Sequence, residues 1–210
     1  MARTMRAGVV HAFGKPLTID EVPIPTPGPG EVLIKVVATG VCHTDLHAAD
    51  GDWAGRPPLP FIPGHEGAGV ISAVGNGVSR DLLGKRAAII PLIPDFTCEQ
   101  CLKGHYSACH HYSFIGSRQS GGFAEYVEMP ERNALIVPEE ISFEQAALIE
   151  PSTVARHILD LGHFTSGQSA VVLGAGSIGL MTVQWLRILG AKLIICTDVV
   201  DANLETAPYH

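Results

Sequence analysis

Three cysteines and one aspartate lie close together in the middle of this sequence, and they limit the folds it can adopt. They follow a D-x2-C-x2-C-x7-C pattern formed by Asp95, Cys98, Cys101 and Cys109. Thiolates gathered within one loop are typical of closed, structural zinc sites, and carboxylate oxygen binds zinc at a comparable distance. The five cysteines are an odd count, so a metal site in a reducing compartment explains them better than disulfides. The histidines at 105, 110 and 111 fit the ligand spacing less well than Asp95.

A second set of metal-binding side chains comes from segments that are far apart in the sequence. Cys42 and His65 are the expected ligands, and the third is either Glu66 or Glu150. Three protein ligands that leave one position open are typical of catalytic zinc. Adjacent strand residues point to opposite faces, so His65 and Glu66 share a metal only if the glycines beside them bend the chain. Asp45 is expected either to accept the other ring N–H of His65 or to cap a helix.

A glycine-rich turn lies in the last quarter of the sequence. Gly174, Gly176 and Gly179 form a G-x-G-x-x-G motif between an apolar run and a helical pattern, and Asp198 follows nineteen residues later. Such a turn places pyrophosphate at a helix N-terminus, and the acidic residue accepts a hydrogen bond from a ribose 2′-hydroxyl. An aspartate repels a 2′-phosphate, and no Lys or Arg follows it. We therefore expect NAD rather than NADP.

The charge and hydropathy of the chain argue against two classes of partner. The formal net charge is −7, so no broad basic surface is expected for nucleic acid or an anionic membrane. The longest apolar stretch, residues 170–183, contains three glycines and is shorter than the roughly 20 residues of a membrane helix. The N-terminus lacks the continuous apolar core of a secretion signal. We expect a cytoplasmic protein that acts on a small molecule.

The strand and helix patterns predict two domains of different class. Up to about residue 140, short strand-like runs separated by Gly- and Pro-rich turns indicate a β-barrel, and the runs are 31–38, 70–74, 86–90 and 123–127. A capping box at Ser142 and Gln145 predicts a helix that Pro151 interrupts or restarts. Strands at 170–173 and 193–197, with a helix between them, predict one βαβ unit.

The expected boundary lies at Glu150, close to the proline. We expect a zinc-binding catalytic domain at residues 1–150 and a partial NAD-binding α/β domain at residues 151–210. A complete dinucleotide domain has six strands, so about 100 residues of it are expected to be missing. The strand at 170–173 is expected to be buried, and the helix after it has apolar residues at 178, 181, 185 and 188 and a stop at Gly190.

Two longer motifs carry a resemblance to a known family. Residues 40–47 read Gly-Val-Cys-His-Thr-Asp-Leu-His, and residues 64–70 read Gly-His-Glu-Gly-Ala-Gly-Val. Together they resemble the zinc-dependent medium-chain alcohol dehydrogenases over nearly the whole chain. The resemblance implies a GroES-like β-barrel joined to a Rossmann domain. It also implies that Thr44 and His47 relay the alcohol proton through the cofactor ribose, and that His43 contacts the cofactor pyrophosphate.

Two branches of that family share the resemblance. Residues up to about Gly77 resemble the simple alcohol dehydrogenases. Residues 98–178 resemble the polyol branch, especially galactitol-phosphate dehydrogenase, through motifs at 101–104, 114–118, 121–126 and 148–151. The polyol branch has a glutamate at the position of Glu150, where simple alcohol dehydrogenases usually have a cysteine, which supports Glu150 as a ligand or water-bridged partner. The family normally has four cysteines in the structural site, whereas this chain has Asp95 at the first ligand position.

These features predict a zinc-dependent oxidoreductase that transfers hydride from an alcohol or polyol to NAD, with one catalytic and one structural zinc. The alternative is a zinc-binding, catalytically inactive dehydrogenase fragment, truncated or chimeric, because the later strands of the cofactor domain are expected to be missing. An exposed sheet edge at the second parallel strand favours pairing with another chain, and we expect a homo-oligomer.

Overall fold

Contacts between residues divide the chain into two units, Met1–Leu148 and Ile149–His210. The computed structural model describes residues 3–52 and 57–206. Each unit has its own secondary structure and its own apolar core. The first unit is mainly β, and the second alternates helices and strands, so the mixed fold class predicted from the sequence is confirmed.

Within the described residues of the first unit, the strands form one five-stranded antiparallel sheet and two separate antiparallel pairs. In chain order they are β1 (Thr4–Val9), β2 (Thr18–Pro23), β3 (Glu31–Thr39), β4 (Gly67–Val74), β5 (Arg86–Ile89), β6 (Leu92–Ile93), β7 (Ser113–Phe114), β8 (Tyr126–Pro130) and β9 (Ala134–Ile136). The large sheet has the order β8-β3-β4-β5-β9, while β1 pairs with β2 and β6 with β7. The last residue of β3, Thr39, lies opposite the first residue of β4, Gly67. This pairing brings the segments around residues 40 and 66 side by side.

Apolar side chains of the large sheet, most of them branched, form the core of the first unit. Val32, Ile34, Ile71, Val127 and Met129 are almost completely buried in it. Along β8 the buried residues alternate with half-buried ones, as expected for a strand with one face against a core. This core therefore holds β3 and β4 in place, and the segments around residues 40 and 66 adjoin these two strands.

The first unit contains three α-helices within the described residues. They are α1 (His43–Asp50), α2 (Glu99–Leu102) and α3 (Phe143–Ala147). Capping residues in the sequence explain two of them, α1 and α3. The capping box predicted at Ser142 is confirmed, because its side chain accepts from the Gln145 N–H and the Gln145 side chain accepts from the Ser142 N–H. Helix α1 begins after Cys42 and ends at Gly51, which adopts a left-handed conformation.

The predicted strand at 123–127 is displaced, since β8 begins at Tyr126. Phe123 forms hydrogen bonds elsewhere: its N–H donates to Pro63 O at 3.0 Å, and its carbonyl accepts from Gly8 N at 2.8 Å. Phe123 therefore bonds to β1 and to the loop that precedes His65, and the chain pairs with the large sheet only further on, at β8. The strands predicted at 31–38, 70–74 and 86–90 are present with shifted ends.

The second unit contains the predicted βαβ arrangement. Its elements are α4 (Ile149–Leu161), β10 (Ser169–Leu173), α5 (Ser177–Ile188), β11 (Leu193–Thr197) and α6 (Asp201–Glu205). β10 and β11 pair in parallel, with Val171 opposite Ile195. Pro151 lies in the first turn of α4, where its missing N–H costs no helical hydrogen bond. The break in the helix is therefore at Leu148, and Glu150 belongs to the first turn of α4.

Burial in the second unit corrects one expectation. The strand at 170–173 was expected to be buried, but Val171 is 61% exposed and Leu173 is 83% exposed. Only one face of the two strands packs on α4 and α5, through side chains that include Val172 and Cys196. The same packing buries Leu186 of α5 and leaves Ile188 72% exposed. Among the described residues, no helix has the length and apolar character needed to cross a membrane.

Candidate metal centres and dinucleotide-binding turn

The structure brings Cys42, His65 and Glu66 together. Their ligand atoms all lie within 4.8 Å of one another. His65 and Glu66 are 4% and 7% exposed, and Cys42 is half-buried. These residues come from the segment after β3 and the segment before β4, which are neighbours in the large sheet. The ligand atoms of one thiol, one imidazole and one carboxyl group thus converge from two sequence segments.

The backbone at Gly64 explains how two consecutive residues reach one site. Gly64 has φ +98°, a left-handed conformation that favours glycine, and Glu66 lies in a bend before β4 begins at Gly67. His65 and Glu66 therefore do not alternate as strand residues would. Glu150 belongs to the second unit, in the first turn of α4. Its role as a ligand stays a prediction.

Asp45 fixes the geometry between the two ligand segments. Its Oδ1 accepts from Gly64 N at 2.9 Å and contacts His65 Nδ1 at 3.2 Å, and its Oδ2 accepts from Cys42 N at 3.1 Å. The two roles considered for Asp45 are both present, because it completes the capping box of α1 and also contacts the imidazole. Because Nδ1 is directed at Asp45, a cation in this group would be bound through the other ring nitrogen of His65.

The protonation of this group is consistent with a cation site. Burial raises the pKa of the Cys42 thiol, although the hydrogen bond from Thr44 opposes the shift. Burial likewise raises the pKa of Glu66, against the opposing effect of His65. A divalent cation would favour the charged forms of both groups and compensate their loss of hydration. Thiolate, imidazole and carboxylate together form a donor set that zinc accepts.

Helix α1 carries the other residues predicted at this site. His43 and His47 are exposed one turn apart, with ring centroids separated by 6.3 Å. Thr44 is half-buried, and its N–H donates to Cys42 Sγ at 3.5 Å. The helix thus places a possible proton carrier beside the thiol. The proton relay through Thr44 and His47 and the pyrophosphate contact of His43 stay predictions.

The predicted loop site is also assembled as a group. The ligand atoms of Asp95, Cys98, Cys101 and Cys109 lie within 4.8 Å of one another, and Cys101 and Cys109 are buried. Cys98 Sγ and Cys109 Sγ are 3.9 Å apart. The main-chain N–H groups of Cys101 and His110 lower the pKa of Cys98, whereas burial raises that of Cys101 to about 12.

These opposed shifts indicate that the thiols of Cys98 and Cys101 do not ionise together without compensation. Three thiolates and one carboxylate in a small volume repel one another unless a cation neutralises them. The donor set fits a closed zinc site with one oxygen ligand, as the sequence pattern predicted. The role of each of these four residues as a ligand stays a prediction.

The glycine-rich turn connects β10 to α5. Gly174 has φ +106°, and Gly176 is the residue before the first helical turn of α5. A Cβ on Gly179 would lie 1.8 Å from the carbonyl oxygen of Gly174, so only glycine lets the helix approach the turn this closely. A Cβ on Gly176 would meet nothing within 4 Å, which leaves open space at the helix N-terminus. This arrangement fits a pyrophosphate that approaches the backbone.

Asp198 lies just after β11 and reaches back to the turn. Its Oδ2 accepts from Ala175 N at 2.7 Å and from Asn203 Nδ2 at 3.2 Å, and its Oδ1 accepts from Val200 N at 2.8 Å. The hydrogen bond from Ala175 is the main reason why the pKa of this carboxyl lies below its usual value. The carboxylate is therefore charged and held at the edge of the turn, as a ribose acceptor would have to be.

The family follows from a match over the β unit. The alcohol dehydrogenase GroES-like domain matches residues 28–139, which is more than half of the chain. The chain belongs to the medium-chain alcohol and polyol dehydrogenase family. The GroES-like domain implied by the sequence resemblance is confirmed.

Relatives from both branches of the dehydrogenase family are similar to this chain. An alcohol dehydrogenase of Moraxella sp. (strain TAE123) is 40% identical over 205 residues, covering 97% of this chain and 60% of the relative. Galactitol 1-phosphate 5-dehydrogenase of Escherichia coli (strain K12) is 40% identical over 177 residues, covering 84% and 51%.

A solved dehydrogenase structure supports the same fold. A short chain alcohol dehydrogenase from E. coli CFT073, complexed with cofactor NADH, superposes with a TM-score of 0.90 at 36% sequence identity. The match covers 97% of this chain and 59% of that one. The chain thus spans between about half and three fifths of the length of the relatives it matches.

Two contacts in this chain could not be found from the sequence. The ring of Phe114 lies 5.5 Å from that of His65, centroid to centroid, and helps to enclose the imidazole. His111 is not in the loop ligand group but contacts Asp95 from outside, with 2.9 Å between Nδ1 and Oδ2. No sequence spacing distinguishes such an outer partner from an exposed loop histidine. Only the fold of the loop reveals it.

Proposed function

We propose that this chain is a zinc-dependent oxidoreductase that transfers hydride from an alcohol or polyol to NAD. The observation that carries the proposal is the convergence of Cys42, His65 and Glu66, whose ligand atoms lie within 4.8 Å of one another. Membership of the dehydrogenase family supports an oxidoreductase, and the donor set supports zinc.

The residues around the site have separable tasks in this proposal. Bound zinc would polarise the substrate hydroxyl, and bound NAD would accept the hydride. Cys42 and His65 hold the metal, and Asp45 fixes the ring orientation of His65 through the 3.2 Å contact. Glu66 or Glu150 supplies the carboxylate. Thr44 and His47 would carry the hydroxyl proton away from the buried site toward solvent.

The cofactor half of the proposal rests on the second unit. Asp198 would accept the ribose hydroxyl, and Gly174, Gly176 and Gly179 would let the pyrophosphate approach the N-terminus of α5. His43 would contact the pyrophosphate. The charged carboxylate of Asp198 favours NAD over NADP, since it repels a 2′-phosphate. The E. coli dehydrogenase of similar structure is complexed with NADH, which is consistent with this choice.

The loop group would bind a second zinc with a structural task. Its ligands would be Asp95, Cys98, Cys101 and Cys109, which together leave no position for substrate. Similarity to both an alcohol dehydrogenase and a galactitol-phosphate dehydrogenase supports a small hydroxylated substrate of either kind.

One observation favours the alternative of an inactive, zinc-binding fragment. Parallel strands are normally covered on both faces, yet Val171 and Leu173 are largely exposed on one face of β10. If nothing covers this face, the cofactor domain lacks part of its packing. The same exposed face is consistent with the expected homo-oligomer, which, like the cytoplasmic location, stays a prediction.

The substitution Cys42→Ser tests the catalytic metal without removing the start of α1. Serine is a favoured N-cap and can accept from Thr44 N as the thiol does. Bound zinc should fall from about two to about one ion per chain, and alcohol-dependent NAD reduction should be lost. The circular dichroism spectrum should be unchanged. Full retention of both zinc and turnover would refute the proposed site.

The two candidate functions differ in one measurement on the unmodified chain. Zinc content is determined together with NAD reduction in the presence of ethanol, sorbitol and a hexitol phosphate. Zinc with turnover supports the dehydrogenase, and the preferred substrate assigns the branch. Zinc without turnover supports the inactive fragment.

A further inference from the structure

One carboxylate oxygen of Asp95, Oδ1, accepts two hydrogen bonds from main-chain N–H groups. Asp95 Oδ1 accepts from Thr97 N at 2.8 Å and from Cys98 N at 2.9 Å. A carboxylate oxygen offers two lone-pair directions, so this oxygen has no further capacity. The other oxygen, Oδ2, therefore has to be the metal ligand.

The second oxygen is held by a histidine outside the ligand group. His111 Nδ1 lies 2.9 Å from Asp95 Oδ2. An ionised carboxylate can only accept, so this ring nitrogen has to carry the hydrogen. The bond occupies one lone-pair direction of Oδ2, and the thiol of Cys101 also hydrogen-bonds this carboxylate. A cation among the thiols would take the place of that thiol proton.

We propose that His111 is a positioning residue for the loop metal, and that it confines Asp95 to binding through Oδ2 alone. The inference rests on the proposed occupancy of the loop site. Carboxylate is a harder and weaker zinc ligand than the thiolate usual in this family, so its orientation has to be fixed from outside. Asp95 and His111 together would thus supply the ligand that a single cysteine supplies in the structural site of other family members.

The exposure of the pair sets the size of the expected effect. The side chain of His111 is 76% exposed and that of Asp95 only 17%. Loss of an outer-shell partner typically lowers metal affinity by about 10–100-fold. Because water can partly replace an exposed donor, we expect the lower end, with zinc released about tenfold faster.

The experiment compares His111→Ala, His111→Asn and His110→Ala in the full chain, all in the Cys42→Ser background so that only the loop metal is observed. Zinc transfer to a chromophoric chelator gives the release rate, and the absorption of cobalt-substituted protein reports the ligands. Asparagine places a donor nitrogen where His111 has Nδ1, so it should restore slow release. His110→Ala keeps the main-chain N–H near Cys98 and serves as the matched control.

We expect fast release and an altered cobalt spectrum for His111→Ala only. Equal release rates for all three variants, with zinc bound, would overturn the role of His111 and leave the zinc proposal intact. Fast release from both His111 variants would also overturn it, because a donor at that position would then be insufficient. Absence of loop zinc before any change at His111 would overturn both the inference and the proposed structural site.

Discussion

The substitution Gly40→Ala should remove Glu66 from the metal group while leaving the fold intact. A Cβ on Gly40 would lie 2.1 Å from Glu66 Oε2, 3.1 Å from its Cβ and 3.2 Å from its Cδ. Gly40 lies outside the left-handed region, so alanine causes no backbone strain there. The hydrogen bond from Gly40 N to Glu66 O, at 2.8 Å, remains. Glu66 Oε2 therefore has to leave its present position, and Glu66 Cβ has to give by a few tenths of an ångström.

The two consequences differ in size. Displacing the glutamate side chain costs about 0.5–1.5 kcal/mol, and the glycine-to-alanine change returns about 0.4–1 kcal/mol through the unfolded state. The free energy of unfolding should thus change by less than about 1 kcal/mol. Loss of a ligand should weaken zinc binding by at least about tenfold, the lower limit for outer-shell partners. The affinity for zinc should therefore fall while the free energy of unfolding stays nearly the same.

The assay is competition for zinc with a chromophoric chelator, with the loop site already filled, alongside urea unfolding. Gly28→Ala is the matched control. Its Cβ would also crowd a glutamate oxygen, Glu31 Oε2 at 3.0 Å, but Glu31 does not belong to either metal group. The double variant with Glu66→Ala should bind no more weakly than Glu66→Ala alone, because both changes remove the same ligand. Unchanged affinity in Gly40→Ala would refute this reasoning and favour Glu150 as the third ligand.

Three other substitutions test the site, the turn and the electrostatics of the sheet. Asp45→Asn should lower zinc affinity by about 10–100-fold, measured with the same chelator, because an amide leaves one of the N–H groups near His65 unpaired; wild-type affinity would contradict the anchoring role. Gly179→Ala should destabilise the protein by about 1–3 kcal/mol in urea unfolding and weaken NAD binding, since its Cβ would overlap Gly174 O; unchanged binding would exclude the close turn. Burial, and secondarily the nearby Glu31, raise the pKa of Glu128 above its ordinary value of 4.5, so its charged form destabilises the fold as pH rises above that value. Glu128→Gln should therefore be more stable than wild type at pH about 7.5, with a gap that narrows toward pH about 5, and a gap independent of pH would contradict this assignment.

The grouping of the candidate metal-binding side chains in the fold could be predicted from the sequence because side chains that bind metals are chemically distinctive. Whether Glu66 joins Cys42 and His65 could not be predicted, since it depended on whether the chain bends at Gly64, and the choice between Glu66 and Glu150 as the third ligand stays open. That conformation is a tertiary property, fixed where Phe123 packs against the glycine. The two roles of Asp45 could likewise not be separated by spacing, because helix capping and contact with His65 use different oxygens of one carboxylate.

In the second unit the order of elements was predictable, but their burial was not. An apolar run such as residues 170–173 indicates a strand, whereas its exposure depends on what covers each face. The helical spacing that included Ile188 was correct, yet the direction of the buried face is set by packing on α4, which buries Leu186 instead. Hydrogen bonds such as that from Ala175 to Asp198 leave no trace in the sequence pattern.

The three contacts of Asp45 have a consequence for how the protein takes up metal. The carboxyl group of Asp45 ties the start of α1 to the Gly64–His65 segment, so hydrogen bonds of the protein itself hold the two ligand-bearing segments together. We therefore expect that binding of a metal ion by Cys42, His65 and Glu66 requires little further ordering of the chain. Metal binding would then not be coupled to folding as it is in zinc fingers. A chelator-stripped sample should keep its shape and accept cobalt as a spectroscopic replacement.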